Sequence, residues 1–314
     1  MKGLELARSY YETYGEQMLR EFFPEAYPYL AVGLVGSGSE CLGYDDEISK
    51  DHDFEPGFCI FLPGEDLVDS KTEFALHRAY THLPQEFQGI SRNKISPVGG
   101  SRHGVMRRSD FYKGRCGNAD GELTTDQWLL LPEHALLEAV NGEVFYDGDG
   151  AFAKIREKLS YYPEEIRLKK LAGYLLVMGQ AGQYNYPRLL KRGESGAAQL
   201  AVHTFTDAAM HVIFLLNRQY MPYYKWSFRA LSDLPLFGNL SESLEFLISS
   251  ENSEKTAKTK TEMIEDIAAL LIAQLKSGNL SDAVCEDLEK HAYSVNDRIR
   301  DGVLRNANIF AGVS

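Results

Sequence analysis

The chain has 314 residues and a formal net charge of −12; 44% of its residues are hydrophobic and 25% are charged. These ordinary globular values argue against disorder and against a coiled coil, and the length suits two domains. The acidic excess disfavours a nucleic-acid partner, because affinity for DNA or RNA rests mostly on Lys and Arg side chains that neutralise phosphates. A local basic patch runs against that trend and contains Arg102, Arg107, Arg108, Lys113 and Arg115.

The N-terminal residues Met1 to Glu5 lack the basic-then-apolar pattern of a signal peptide. No apolar run approaches the roughly 18 residues of a membrane span. We therefore expect a cytoplasmic protein with no membrane partner. The four cysteines stand far apart without metal-binding spacing, and we expect buried free thiols.

The first half of the chain alternates helical and strand patterns. Apolar residues recur at helical spacing from Leu4 to Phe22, and a second helix is predicted over 66–82. Short apolar runs predict strands at 31–35, 57–62, 95–98, 104–107 and 143–146. This half is expected to form a mixed sheet with flanking helices.

Helical periodicity becomes almost continuous after residues 147–150. It predicts helices at 152–159, 163–179, 197–217, 241–248, 261–276 and 281–300. The polar segment 249–260 is predicted to be an exposed loop between helices. The sequence therefore predicts an α+β protein with a sheet domain at 1–150 and a helical bundle at 151–314.

A glycine-serine turn, Gly36-Ser37-Gly38-Ser39, follows the first predicted strand. Gly and Ser often form tight turns without binding anything. Where such a turn opens a helix, however, free backbone N–H groups and the helix dipole attract phosphate. Gly36, Ser37 and Ser39 are therefore candidate phosphate-binding residues.

Two carboxylates, Asp51 and Asp53, lie two residues apart just before the next predicted strand. On an extended segment they would share one side. Facing carboxylates repel unless a cation lies between them, and Mg²⁺ (or Mn²⁺) suits this arrangement because it prefers oxygen ligands and keeps substrate phosphates among them. Asp51 and Asp53 are therefore candidate metal ligands.

The order of strand, Gly-Ser turn, short helix, Asp-x-Asp and strand resembles the nucleotidyltransferase superfamily, which includes aminoglycoside nucleotidyltransferases and DNA polymerase β. In that superfamily the serine turn holds a triphosphate and the Asp pair binds metal, so the resemblance implies these roles for Ser37, Asp51 and Asp53. The strings GSGSECLGYDDEISKDHDFEPG and LNRQYMPYYKW are similar to those of an uncharacterised bacterial family with a nucleotidyltransferase-like domain.

Polymerase-like members of the superfamily add a third carboxylate on a neighbouring strand, usually as the base that activates the acceptor hydroxyl. The corresponding segment here carries Met106 and Arg107 on the expected strand and Asp110 at its end. Asp110 is therefore the third candidate catalytic residue beside Asp51 and Asp53. The alternatives are Asp120, Glu122 and Asp126. If none of them reaches the metal, transfer would lack its positioned base.

Two cations lie in the segment 216–226 of the helical half. An aromatic plug between the domains would explain Tyr223 and Trp226. Arg218 and Lys225 are candidate nucleotide-binding residues, because cations brought by a helical domain would complete a clamp on the triphosphate.

These patterns favour an enzyme: a Mg²⁺-dependent nucleotidyltransferase. It would move a nucleoside monophosphate from an NTP, which we expect to be ATP, to a hydroxyl or phosphate of a small-molecule acceptor, with release of pyrophosphate. An aminoglycoside-like acceptor rests on analogy alone. Two alternatives stay open: a catalytically silent nucleotide-binding regulatory protein of the same fold, and an enzyme that adenylylates a protein.

Overall fold

The structure is a computed structural model, and it describes residues 1–48, 54–92 and 102–313. It divides into a first unit, Met1–Thr124 with Ala135–Ser160, and a second unit, Thr125–His134 with Tyr161–Ser314. The division into two domains at residue 150 stays a prediction.

The elements are given in chain order. Up to residue 158 they are α1 (Gly3–Tyr10), α2 (Glu16–Phe22), β1 (Ala31–Leu34), β2 (Cys59–Leu62), α3 (Ser70–Thr81), β3 (Glu86–Phe87), β4 (Ile90–Ser91), β5 (Gly104–Arg107), α4 (Arg108–Cys116), α5 (Thr125–Leu130), α6 (Glu133–Val140), β6 (Glu143–Asp147) and α7 (Ala151–Lys158). The remaining helices are α8 (Glu164–Met178), α9 (Tyr186–Lys191), α10 (Ser195–Leu216), α11 (Tyr224–Ser232), α12 (Ser241–Ser249), α13 (Glu254–Ser277), α14 (Leu288–Asn296) and α15 (Gly302–Asn306). The predicted α+β class is therefore confirmed, with the sheet in the first half and helices throughout the second.

Four of the five predicted strands are confirmed as β1, β2, β5 and β6, and the fifth, at 95–98, lies outside the described residues. The helix predicted over 66–82 begins only at Ser70, because the Asp69 side chain accepts a hydrogen bond from the backbone N–H of Thr72 (2.8 Å) and caps it. The N-terminal helical run contains a π-helical turn at Tyr11–Gly15.

Strand β1 lies inside the four-stranded sheet, whose order is β5-β2-β1-β6. It pairs antiparallel with both β2 and β6, whereas β2 and β5 are parallel. Gly33 is opposite Cys59, and Cys59 is opposite Gly104. The C-terminal end of β1 therefore lies beside the N-terminal ends of β2, β5 and β6.

The two faces of this sheet carry different cores, because successive side chains of a strand point to opposite faces. Ile60 and Leu62 of β2 belong to a buried cluster with residues of α1, α2 and α3. Phe61 instead contacts the rings of Phe111 in α4 and Phe152 in α7, at centroid distances of 5.1 and 4.5 Å. Cys59 and the strand partner of Phe61, Met106, consequently lie on the α4 side.

Helix α10 is the most apolar long helix described. By length and composition it could cross a membrane, but 61% of its apolar window is buried inside the protein. A buried core helix of a soluble protein has these same properties. We therefore assign α10 to the core of the second unit, where it packs against α8 and α12.

The prediction of an exposed loop at 249–260 is wrong, because α13 already begins at Glu254. The Lys260 side chain is fully buried and donates hydrogen bonds to the backbone oxygen of Ser250 (2.7 Å), to Asn252 Oδ1 (3.1 Å) and to Gln199 Oε1 (3.0 Å). The short connection before α13 is thus organised around a lysine rather than solvated. The helix predicted over 281–300 is also shorter, since only Leu288–Asn296 is α-helical there.

Candidate functional site

The glycine-serine turn follows directly from β1. Gly36 has φ of +104° and Gly38 has φ of +129°, a backbone region that favours glycine. Ser39 then precedes a three-residue 3₁₀ helix, Glu40–Leu42. The helix expected after the turn is therefore a single 3₁₀ turn, too short to contribute a substantial dipole.

The backbone of the turn is only partly used by the protein. Gly36 N–H donates to Asn141 Oδ1, and Asn141 Nδ2 donates to the carbonyl oxygen of Gly36, both at 2.8 Å. Among the described residues, none accepts a hydrogen bond from the backbone N–H groups or the hydroxyls of Ser37 and Ser39, nor from the N–H of Gly38. Successive N–H groups of this kind form a concave site for anions.

Two guanidinium groups approach the turn. Arg102 Nη2 donates to the carbonyl oxygen of Ser37 (2.8 Å), and the same group forms an ion pair with Glu40. A Cβ atom on Gly38 would lie 1.7 Å from Arg102 Nη2, and one on Gly36 would lie 3.2 Å from Arg115 Nη2. The two glycines therefore allow both arginines to come close to the backbone of the turn.

The predicted basic patch divides in the structure. Arg102 and Arg115 are near the turn, and Arg115 Nε also lies 3.2 Å from Glu138 Oε2. Arg107 is buried and donates to the backbone oxygens of Pro63 and Val68, at 2.7 and 2.8 Å. Arg108 pairs with Asp149 at 3.3 Å. Only part of the patch is therefore placed to meet a ligand at the turn.

A cavity of about 400 Å³ opens beside the turn within the first unit. Its lining residues are Val35, Ser37, Cys59, Arg102, Met106, Asp110, Phe111, Gly114 and Arg115. The structure thus brings together two predicted site residues, Ser37 and Asp110, that are far apart in the sequence. Ser37 follows the end of β1, which lies beside the starts of β2 and β5, whereas Asp110 reaches the cavity from α4, the helix that follows β5.

Asp110 reaches the cavity from the first turn of α4, not from the strand, and its side chain is exposed. Met106 is the lining residue that β5 supplies. Of the alternatives, Asp120 and Glu122 do not line this cavity, and Asp126 belongs to the second unit.

The predicted metal ligands Asp51 and Asp53 lie outside the described residues. Within the described part of the chain, no three His, Cys, Asp or Glu side chains converge as a metal site would require. Asp110 is the one carboxylate among the described residues that line the cavity. The metal site therefore remains a prediction.

The thiol in the cavity wall is not a nucleophile. Cys59 is fully buried, and burial raises the pKa of its thiol to about 12. Burial likewise raises the pKa of Cys41, in the 3₁₀ turn. Both groups are neutral near pH 7, so covalent catalysis by a thiolate is not supported here.

Arg218 and Lys225, the predicted clamp residues, both belong to the second unit. Arg218 Nη2 lies 2.7 Å from Glu164 Oε2, and Lys225 Nζ lies 5.0 Å from the centre of the Trp226 ring. Their contact with nucleotide stays a prediction.

A buried polar cluster in the second unit was not apparent from the sequence. Glu133 accepts hydrogen bonds from the backbone N–H of Met221 (2.9 Å) and from His211 Nδ1 (2.8 Å), and the His211 ring stacks on Tyr174 at 4.2 Å. Burial alone would raise the pKa of Glu133, but His211 and the Met221 N–H hold it below its ordinary value. The partners are 78 and 88 residues apart, so no local motif identifies them.

Sequence reasoning also gave no specific role to Arg102 and Arg115, and it missed Asn141. The two arginines were visible only as members of a basic patch, and an isolated Asn carries no pattern. Arg102 precedes β5 and Asn141 precedes β6, so the pairing of all four strands would have been needed to find these two residues, and the placement of α4 to find Arg115.

Comparison with known proteins is informative for the second unit more than for the first. A family model described as a domain of unknown function, DUF4037, matches residues 128–227. This range includes Glu133, His211, Arg218 and Lys225 but not the turn at Ser37. No curated protein and no solved structure matches the chain. Over residues 128–227, the chain is thus similar to an uncharacterised domain family.

Proposed function

We propose that the cavity beside Ser37 binds the triphosphate of an NTP, which we take to be ATP. We further propose that this cytoplasmic protein transfers the nucleoside monophosphate to a small-molecule acceptor. The observation that carries the proposal is the group of N–H and hydroxyl donors at Ser37, Gly38 and Ser39, which have no hydrogen-bond acceptor among the described residues and are flanked by Arg102 and Arg115. Donors and cations of this kind suit phosphate oxygens.

The guanidinium groups of Arg102 and Arg115 supply the positive charge that the dipole of the short 3₁₀ turn cannot. Arg presents several N–H donors in a planar fork that matches phosphate geometry. On ligand binding, phosphate oxygens would compete with Glu40 for Arg102 and with Glu138 for Arg115. Arg218 and Lys225, which belong to the second unit, stay predicted nucleotide contacts.

Asp51 and Asp53 would hold Mg²⁺, and Asp110, which lines the cavity, would be the third carboxylate. A bound Mg²⁺ neutralises triphosphate oxygens and makes pyrophosphate a better leaving group. Carboxylate oxygens are the ligands this ion prefers. The exposed position of Asp110 beside Ser37 is compatible with such a donor set.

The proposed reaction is a displacement at the α-phosphorus. An acceptor oxygen forms a bond to the α-phosphorus, the bond from that phosphorus to the bridging oxygen breaks, and pyrophosphate departs with the bonding electrons. When the acceptor is a hydroxyl, Asp110 accepts its proton as general base. An acceptor phosphate would need no such base.

A second candidate function is nucleotide binding without turnover. It is favoured by Met106, a residue with no acid–base chemistry, which lines the cavity from the strand where a third carboxylate is expected. If Asp110 does not act as the base, the same site would serve a regulatory protein that senses nucleotide.

The binding site is tested by titrating the whole protein with ATP in the presence and absence of Mg²⁺. Arg115→Met removes the guanidinium from the cavity, and we expect about 10- to 100-fold weaker binding, the value of one charge-assisted hydrogen bond. Arg108→Met is the matched control, since Arg108 lies on the same helix and also has an ion-pair partner but does not line the cavity. Equal loss in both variants, or no binding by the wild type, would overturn the site.

The metal and the chemistry need two more variants. Asp51→Asn combined with Asp53→Asn should abolish the Mg²⁺ dependence of binding. Asp110→Asn should retain binding but lose pyrophosphate release with hydroxyl acceptors. Pyrophosphate release that is unchanged in Asp110→Asn would exclude Asp110 as the base. ATP binding by the wild type without release, for every hydroxyl and phosphate acceptor tried, would favour the second candidate.

A further inference from the structure

We infer that Asn141 is a positioning residue for the phosphate turn, an inference that rests on the proposed function. Its amide holds the backbone of Gly36 at both the N–H and the carbonyl, so that the ligand is met by Ser37, Gly38 and Ser39 instead. Nothing in the sequence around Asn141 indicates such a role.

The paired hydrogen bonds are geometrically demanding. Each is 2.8 Å long, and together they close a ring between one side-chain amide and one residue's backbone. A side-chain amide is well suited to this, because it presents a donor and an acceptor in one plane. The ring fixes the orientation of the Gly36 peptide groups, and with it the start of the turn.

The backbone around Asn141 is itself fixed by hydrogen bonds. It directly follows α6, and its N–H donates to the carbonyl oxygen of Leu137 (2.8 Å). The Arg156 guanidinium donates to the carbonyl oxygens of Asn141 (2.9 Å) and Val140. The next residue, Gly142, donates its N–H to the carbonyl oxygen of Cys41 (3.0 Å), beyond the turn. The segment 140–142 therefore braces the turn near both of its ends.

This arrangement changes the role expected for Gly36. Its N–H was a candidate phosphate ligand, but that donor is already used by Asn141. We therefore assign Gly36 to the frame of the turn and the next three N–H groups to the ligand. If the frame is lost, the donors can remain present yet point in many directions, and preorganisation for the phosphate falls.

The test compares Asn141→Leu with Asn118→Leu. Asn118 is a matched control, because its amide also makes two hydrogen bonds to loop backbone, to Glu122 O (2.9 Å) and from Asp120 N (3.0 Å), and it does not line the cavity. Two readouts are needed for each full-length variant: affinity for ATP with Mg²⁺ by calorimetry, and backbone amide exchange by mass spectrometry. Thermal midpoints show whether the two substitutions cost similar stability.

We expect Asn141→Leu to bind ATP about tenfold more weakly, or worse, since two hydrogen bonds that hold the turn are lost. Amide exchange should quicken at Gly36, whose N–H loses its acceptor, in this variant only. Asn118→Leu should keep wild-type affinity at a similar thermal midpoint. Affinity within twofold of wild type for Asn141→Leu, or equal loss in both variants, would overturn the inference while leaving the proposed function intact.

If the wild type binds no ATP, the proposed function fails. Amide exchange then still tests whether Asn141 holds the turn. Faster exchange at Gly36 in Asn141→Leu supports the inference that Asn141 holds the turn. Unchanged exchange there overturns it.

Discussion

A substitution at Gly38 tests most directly whether the Arg102 guanidinium lies close to the backbone of the turn. In Gly38→Ala the new Cβ would lie 1.7 Å from Arg102 Nη2 and 2.7 Å from the carboxylate oxygens of Glu40. The guanidinium must move away, and its contacts with Ser37 and Glu40 are lost. The substituted residue would also have to keep φ near +129° or force the turn to rearrange.

The expected loss of stability has two parts. A non-glycine residue held in this backbone region costs about 1–3 kcal/mol. Displacing a partly buried ion pair, whose Arg102 and Glu40 side chains are 25% and 11% exposed, adds about 1–2 kcal/mol, between the values for surface and buried pairs. We therefore expect Gly38→Ala to lower the free energy of unfolding by about 2–5 kcal/mol.

A double-mutant cycle separates the two parts, with urea unfolding as the assay. In an Arg102→Ala background, Gly38→Ala should cost only the backbone part, because the colliding guanidinium is absent. Gly43→Ala is the matched control: Gly43 also has positive φ (+73°), but no described atom lies within 4 Å of its Cβ position. If Gly38→Ala costs the same with and without Arg102, the close approach is not real and the reasoning fails.

Three further predictions test other parts of the structure. The pKa of Glu133 in the folded protein lies below its ordinary 4.5, so its ionised carboxylate stabilises the fold above that pH and the stabilisation is lost as the pH falls. Below about pH 4.5, the unfolding midpoint of Glu133→Gln should therefore change less with pH than that of the wild type. Parallel curves of midpoint against pH would contradict this. Iodoacetamide at pH 8 should label the exposed Cys285 and leave the three buried thiols unmodified. Labelling of the folded Cys285→Ser variant would show that at least one of those three thiols is not buried. Gly114→Ala, inside α4, should raise the free energy of unfolding by about 0.5–1 kcal/mol. Gly117→Ala should lower it, because Gly117 ends that helix in the left-handed conformation. Equal effects of the two substitutions would show that α4 does not end at Gly117.

Local patterns predicted most of the sheet, because β1, β2, β5 and β6 are short apolar runs bounded by turn residues. The segment 249–260 shows why other predictions failed. Its polar composition is typical of a loop, but Lys260 is satisfied by three oxygen acceptors, one of them on Gln199, 61 residues away. Sequence propensities include the cost of burying that ammonium group but not the distant acceptors that offset it.

Sequence reasoning identified some of the residues of the candidate site and missed others. Ser37 stands in a recognisable motif, whereas Arg102 and Asn141 join it through strand register and Arg115 joins it through α4. Leu34 is paired with Glu143, and Cys59 with both Gly33 and Gly104. One end of the sheet therefore collects the residues after β1 together with those that precede β2, β5 and β6.

That topology bears on the predicted metal pair as well. The chain enters β2 at Cys59, six residues after Asp53, and this is the end of β2 that lies beside the turn. Asp51 and Asp53 precede this end of β2 by eight and six residues in the sequence. The Asp51→Asn and Asp53→Asn pair therefore tests whether the topology and the motif identify the same site.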